Sequence, residues 1–237
     1  VFNSTNSDNV TGENGHIGGL IGCIDQSANV TMTISNSMNR GNVTGKESSV
    51  GGLVGHLNDI ENSLVTITTF SNEGTVSGRG SDTGGVVGGI ASNTNMAVTM
   101  SECTNHGTII GSVFGVGGII GRMTQGENMT MTLSKCINNG NVTGSDSFWG
   151  GIVGHIDSIE NMAITLSECV NNGNITTYSG DAGGLVGCIS RNTASFMILL
   201  RCTNDGNVIG HGRYVGGFVG LAYSEGYSQS VSVTIVN

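Results

Sequence analysis

Proline is absent from all 237 residues of the chain. That absence suits sheets in which every strand residue must donate its amide to a neighbour. Basic residues are scarce as well: eight Lys and Arg stand against 17 Asp and Glu, a formal charge of −9. Neutralising nucleic-acid phosphates, or settling on an anionic membrane, needs a basic patch that these scattered cations do not form. Aromatic residues make up 5% and charged residues 11%, both low for a globular enzyme. No apolar run reaches about 18 residues, so no direct membrane insertion is expected, and no charged start leads an apolar core as in a signal peptide. The chain begins at Val1 without Met and reads as a segment of a longer protein.

What fills the chain instead is glycine, 41 residues of it, with Asn, Ser, Thr and branched aliphatics. That mixture reads as many short strands separated by Gly and Asn turns. Double glycines begin at Gly18, Gly51, Gly84, Gly117, Gly150, Gly183 and Gly216, each 33 residues after the last. Within each repeat one segment alternates strictly, as in "MTMTLSKC" (Met129 to Cys136) and "MAITLSEC" (Met162 to Cys169). Period 2 means strand, and no helical stripe appears anywhere.

Three short strands per 33 residues, stacked repeat on repeat, predict an all-β parallel solenoid of about seven coils, one repeat domain over residues 1–237. Column-mates would then lie about 4.8 Å apart. An insertion inside a strand would turn every later side chain to the wrong face, which keeps the period constant. A seven-bladed propeller is the alternative, although its blades normally need about 40–50 residues.

The columns carry the detail. Asn6, Asn39, Asn72, Asn105, Asn138, Asn171 and Asn204 never vary. They predict a stacked amide ladder at a turn, with Asn tolerating the left-handed conformation. Leu20, Leu53, Val86, Ile119, Ile152, Leu185 and Phe218 form a core column. The adjacent column, Ile21 to Val219, is also wholly aliphatic, yet alternation points it outward, so a second layer, a loop or a partner is expected to cover it.

"GGLIG" (Gly18–Gly22) and "GGLVG" (Gly51–Gly55 and Gly183–Gly187) resemble the GLUG motif, named for Gly-Leu-any-Gly. The other copies depart from it, with Val86, Ile119, Ile152 or Phe218 in place of Leu. The resemblance spans essentially the whole segment. It implies a tandem-repeat element of large secreted or cell-surface proteins, among them adhesin-like and IgA-peptidase chains, and it implies no catalytic residues. No His-Glu-x-x-His is present to carry peptidase chemistry.

Several residue groups raise chemical questions. Cys103, Cys136, Cys169 and Cys202 share a column and are either buried thiols or strained cross-rung disulfides, Cys103–Cys136 and Cys169–Cys202. No ligand spacing for zinc or another cofactor is visible. The column Cys23, His56, Gly89, Arg122, His155, Cys188, Leu221 puts Cys beside His, the minimum for an activated thiol. Without a repeating third group it reads as a tolerant, solvated face. Glu61, Glu127 and Glu160 share a column, with Glu61 and Glu160 too far apart for a glycosidase pair. A Thr/Ser face (Thr33, Thr66, Thr99, Thr132, Thr165) raises an ice-binding alternative.

Sequons for N-glycosylation occur at Asn3, Asn9, Asn29, Asn42, Asn128, Asn141 and Asn174, about as many as chance gives. Phe196, Ile198 and Leu200 break the polar face in the sixth repeat and form a candidate contact patch. A loop three residues longer, Ala222 to Ser230, is expected to fold over it. The expectation for the whole is a non-catalytic structural or adhesive rod, extracellular or at the cell surface, associating with itself or with neighbouring repeats and open to a glycan or host ligand. The rival is a polysaccharide-acting β-helix enzyme.

Overall fold

The computed structural model describes every residue of the chain except 48, 81, 147, 225–229 and 237. It is a parallel β-solenoid built from four sheets, one of 12 strands and three of seven. One coil shows the order. Sheet 1 takes Leu64–Asn72, sheet 2 takes Val76–Gly78, sheet 3 takes Thr83–Gly84 and sheet 4 takes Val87–Ala91. Each residue pairs with its column-mate in the next coil, as Val76 with Ile109 and Thr99 with Thr132. Parallel pairing between successive repeats rules out the antiparallel blades of a propeller. The last coil pairs Ser195 with Val231, a step of 36 that absorbs the three extra residues of the preceding loop.

The coil is layered. Sheets 1 and 4 enclose the main core, which holds Leu53, Val54, Leu57, Ile67 and Phe70 with their column-mates. Sheets 2 and 3 enclose a second, narrower core of Val43, Val50, Val76, Ile109, Val116 and Trp149. Sheet 3 lies against the outer side of sheet 4. Glycine makes that contact: a Cβ on Gly121 would stand 2.4 Å from Gly88 O and 2.7 Å from Thr83 N. The second glycine of each pair has a different neighbour, since a Cβ on Gly52 would stand 2.7 Å from Cγ of Asn72.

This layering corrects two expectations. The column Ile21 to Val219 does not point outward. Val54, Val87, Ile120, Val153 and Val186 are fully buried in the main core beside Leu53 and its column-mates. The bend at the double glycine breaks the alternation, so two successive aliphatics turn inward. The pairing of sheet 4 then skips the next glycine, joining Val54 to Val87 and His56 to Gly89. The left-handed conformation belongs to other columns than the Asn ladder. It occurs at Asn36, Thr69, Glu102 and Lys135, at Asp59, Ser92 and Gln125, and at Asn29, Asn62, Asn95, Asn128 and Asn161. Short Asn side chains suit it locally. The bulkier residues are held by coil stacking, as where the Glu102 amide donates to Ser134 O at 3.0 Å.

Candidate functional site: a polar seam between sheets 3 and 4

The residues leading into sheet 3 and those beyond the glycine of sheet 4 meet in a seam. From the first side come His16, Ser49, Asp82 and Phe148. From the second come His56, Gly89, Arg122, His155 and Cys188, followed by Asp25, Asn58, Thr124, Asp157 and Ser190. From His56 to Cys188 the column expected to be solvated is therefore covered, whereas Cys23 at its start is exposed. His56 is 8% exposed, His155 2% and Cys188 fully buried, because sheet 3 lies over them.

In the first half of the seam, His16 and His56 approach edge to face with their Nδ1 atoms 3.0 Å apart. Burial pushes His56 down to about 4, reinforced by His16 and opposed by Asp25, and burial lowers His16 as well. At neutral pH both rings are uncharged, so one ring N–H donates to the bare nitrogen of the other. Asp82 is 5% exposed and accepts from Ser49 Oγ at 3.3 Å through Oδ2. Burial raises it to about 6, against the opposing pull of Arg122 and Ser49.

The second half is an ion-pair knot. Asp157 accepts from Arg191 at 2.8 Å and 2.7 Å, from Arg122 Nη2 at 3.0 Å and from Ser190 Oγ at 3.1 Å. Burial alone would raise its carboxyl, but the Arg191 hydrogen bond, His155 and the remaining donors hold it at about 2. The His155 ring lies 4.1 Å from Phe148, and burial pushes it down to about 3. Its Nε2 is 2.8 Å from Ser190 Oγ.

Ser190, His155 and Asp157 resemble a hydrolytic triad in composition and fail it in wiring. The Ser190 hydroxyl donates to Asp157, so His155 Nε2–H must be the donor to Ser190 and cannot remove its proton. Ser190 is also 1% exposed. Cys188 is a neutral thiol, pushed up to about 12 by burial. Exposed Cys23 is raised by partial burial and by Asp25. Neither is an activated nucleophile.

The remaining predicted residues fall as follows. The Asn ladder is continuous: Asn105 Nδ2 donates to Asn138 Oδ1 and Asn138 Nδ2 to Asn171 Oδ1, each at 2.8 Å. Each amide also donates to the carbonyl two residues on, as Asn138 does to Gly140 O at 2.9 Å. Cys103, Cys136, Cys169 and Cys202 are free and buried, and their thiols donate to backbone carbonyls. All seven sequon asparagines are exposed, but Asn128 Nδ2 is engaged with Asn95 Oδ1 at 3.1 Å. Phe196 is 48% exposed, with Ile198 and Leu200 half-buried. Most of the loop expected to cover them lies outside the described residues.

Sequence reasoning missed two features. Asn62, Asn95, Asn128 and Asn161 form a second amide ladder on the surface. The 33-residue spacing of these residues made that ladder legible. Glu127 and Glu160 are backbone bridge partners in adjacent coils, a nearer pair than Glu61 and Glu160.

No known family profile matches the chain, and no curated protein matches it. Among solved structures it is similar to a Bacteroides ovatus protein given the provisional name immunoglobulin A1 protease. The identity is 15% and the TM-score 0.44, over 92% of this chain and 78% of that one.

Proposed function

We propose that the chain is a non-catalytic structural and adhesive element, a rod segment of a secreted or cell-surface protein that stacks end to end. One observation carries this reading: at each end of the described stack all four sheets finish on an edge strand that is paired on its inner side only. Such edges are templates for another coil. Apolar side chains stand exposed on the last coil, with Val215 at 46% and Ile235 at 50%. The GLUG-like repeats support placement outside the cell. The wiring of the seam supports a non-catalytic role, because Ser190 and Cys188 are buried and the exposed Cys23 thiol is pushed up rather than activated.

The test is association. Sedimentation velocity across a concentration series, with negative-stain electron microscopy, should show growing linear oligomers one solenoid wide. A segment that stays monomeric at every concentration, with no filaments on the grid, overturns the reading.

A further inference from the structure

Asn followed directly by Gly occurs three times, at Asn14-Gly15, Asn139-Gly140 and Asn172-Gly173. The last two pairs occupy the same columns in adjacent coils and are locked there. Asn139 Oδ1 accepts from Asn172 Nδ2 at 2.7 Å, and Asn139 Nδ2 lies 3.3 Å from His106 Nδ1. The Asn139 and Asn172 main-chain amides donate to Asn105 O at 2.7 Å and Asn138 O at 2.8 Å, and the Gly173 amide also donates to Asn138 O, at 3.3 Å. A Cβ on Gly140 would stand 1.9 Å from Gly107 O, and one on Gly173 1.9 Å from Gly140 O. Neither turn can swing without unstacking two coils.

Asn14-Gly15 sits in the turn between the first strands of sheets 2 and 3, Val10–Gly12 and Ile17–Gly18. The turn is pinned on both sides, since Glu13 pairs with Lys46 and His16 rests against His56. Between these anchors Asn14 and Gly15 are both exposed. Neither the Asn14 side chain nor the Gly15 amide has a hydrogen-bond partner among the described residues. Gly15 has a φ of +83°, and a Cβ on it would meet nothing within 4 Å. Glycine turns freely in such open space. The Gly15 nitrogen can therefore come within the roughly 3–3.5 Å that attack on the Asn14 side-chain carbonyl requires.

We propose that Asn14 is a site of self-modification, deamidating through a cyclic imide. The Gly15 nitrogen bonds to Asn14 Cγ and gives up its proton, while the Cγ–Nδ2 bond breaks and ammonia leaves. Water then opens the ring at one of its two carbonyls. Opening at Cγ leaves aspartate. Opening at the main-chain carbonyl leaves isoaspartate, with the chain running through the former side chain. Water is the co-reactant, and no group is oxidised or reduced. Either product adds a carboxylate beside Glu13, so the chain becomes one unit more acidic than its formal −9. Asn139 and Asn172 keep their amides while the solenoid is folded, because stacking denies them the same approach. The inference depends on neither stacking of copies nor adhesion.

The experiment ages the folded chain at body temperature and mildly alkaline pH in water enriched in heavy oxygen. Peptide mapping by mass spectrometry then reads the heavy oxygen retained at each converted Asn. Asn14 should convert roughly tenfold faster, or more, than Asn139 or Asn172. A parallel sample unfolded in guanidinium chloride should convert the three at comparable rates, since each is then an Asn before a Gly in a free chain. Conversion at Asn139 or Asn172 that matches or exceeds Asn14 in the folded chain overturns the proposal. So does an Asn14 that keeps its amide in the folded chain.

Discussion

Replacing Asn138 with Ala isolates what the buried ladder contributes. Asn138 is fully buried and takes part in three hydrogen bonds: it accepts from Asn105 and donates to Asn171 Oδ1 and Gly140 O. Each bond is worth about 1 kcal/mol net, and the groups left behind have no water to turn to. The Gly140 carbonyl loses its side-chain donor, Asn171 loses its ladder donor, and Asn105 keeps only Gly107 O. Adding desolvation of the orphaned groups gives a loss on the order of 3–5 kcal/mol. Asn6→Ala at the end of the ladder breaks bonds to Asp8 O and Asn39 Oδ1 in a partly solvated setting, where water replaces them. Its cost should be nearer about 1 kcal/mol. Urea denaturation midpoints, with native-state hydrogen exchange to catch local opening of a repeat array, measure both. Equal effects at Asn138 and Asn6, or a loss below about 1 kcal/mol at Asn138, would refute the view that burial makes the ladder strong.

Other outcomes follow from the layers and the seam. Gly121→Ala should prevent soluble folding or cost more than about 3 kcal/mol, because the new methyl meets backbone that cannot swing aside; soluble yield and a thermal melt test this. Asp82→Asn should stabilise the chain at neutral pH. The folded carboxyl titrates near 6 and the unfolded one near 4, so stability falls as pH rises between them, by on the order of 3 kcal/mol. The gain should vanish below about pH 4, as a series of urea midpoints would show. His155, held near 3, binds its proton more readily when unfolded, so stability falls as pH drops below about 6.5, and His155→Phe should flatten that acid limb. In the native protein a thiol reagent should modify Cys23 alone, and rapid labelling of Cys136 or Cys169 by mass spectrometry would contradict their burial.

Much of the fold was legible because its signal is repetition. The double glycines fixed the period, the alternating segments fixed strands, and the constant Asn column announced the ladder. The layering was not legible. Period-2 reasoning sent Val54 outward, because it cannot see the bend at Gly51-Gly52 that turns both Leu53 and Val54 inward. The same blind spot hid the seam. Nothing in the string tells that Gly55 and Gly121 have no side chain so that sheet 3 can lie on sheet 4, and hence that His56 and His155 are covered.

The amide ladder also runs one way. From Asn6 to Asn171, every side chain gives its proton to the coil that follows. The solenoid is therefore polar, like a row of magnets laid head to tail. At the low-numbered end Asn6 presents an oxygen, and at the high-numbered end Asn204 retains an N–H beyond its bond to Gly206 O. Two copies joined head to tail continue the series, whereas two joined head to head or tail to tail set like against like. Under the proposed end-to-end stacking, a cap for one end would need a donor and a cap for the other an acceptor, so the two caps could not be interchanged.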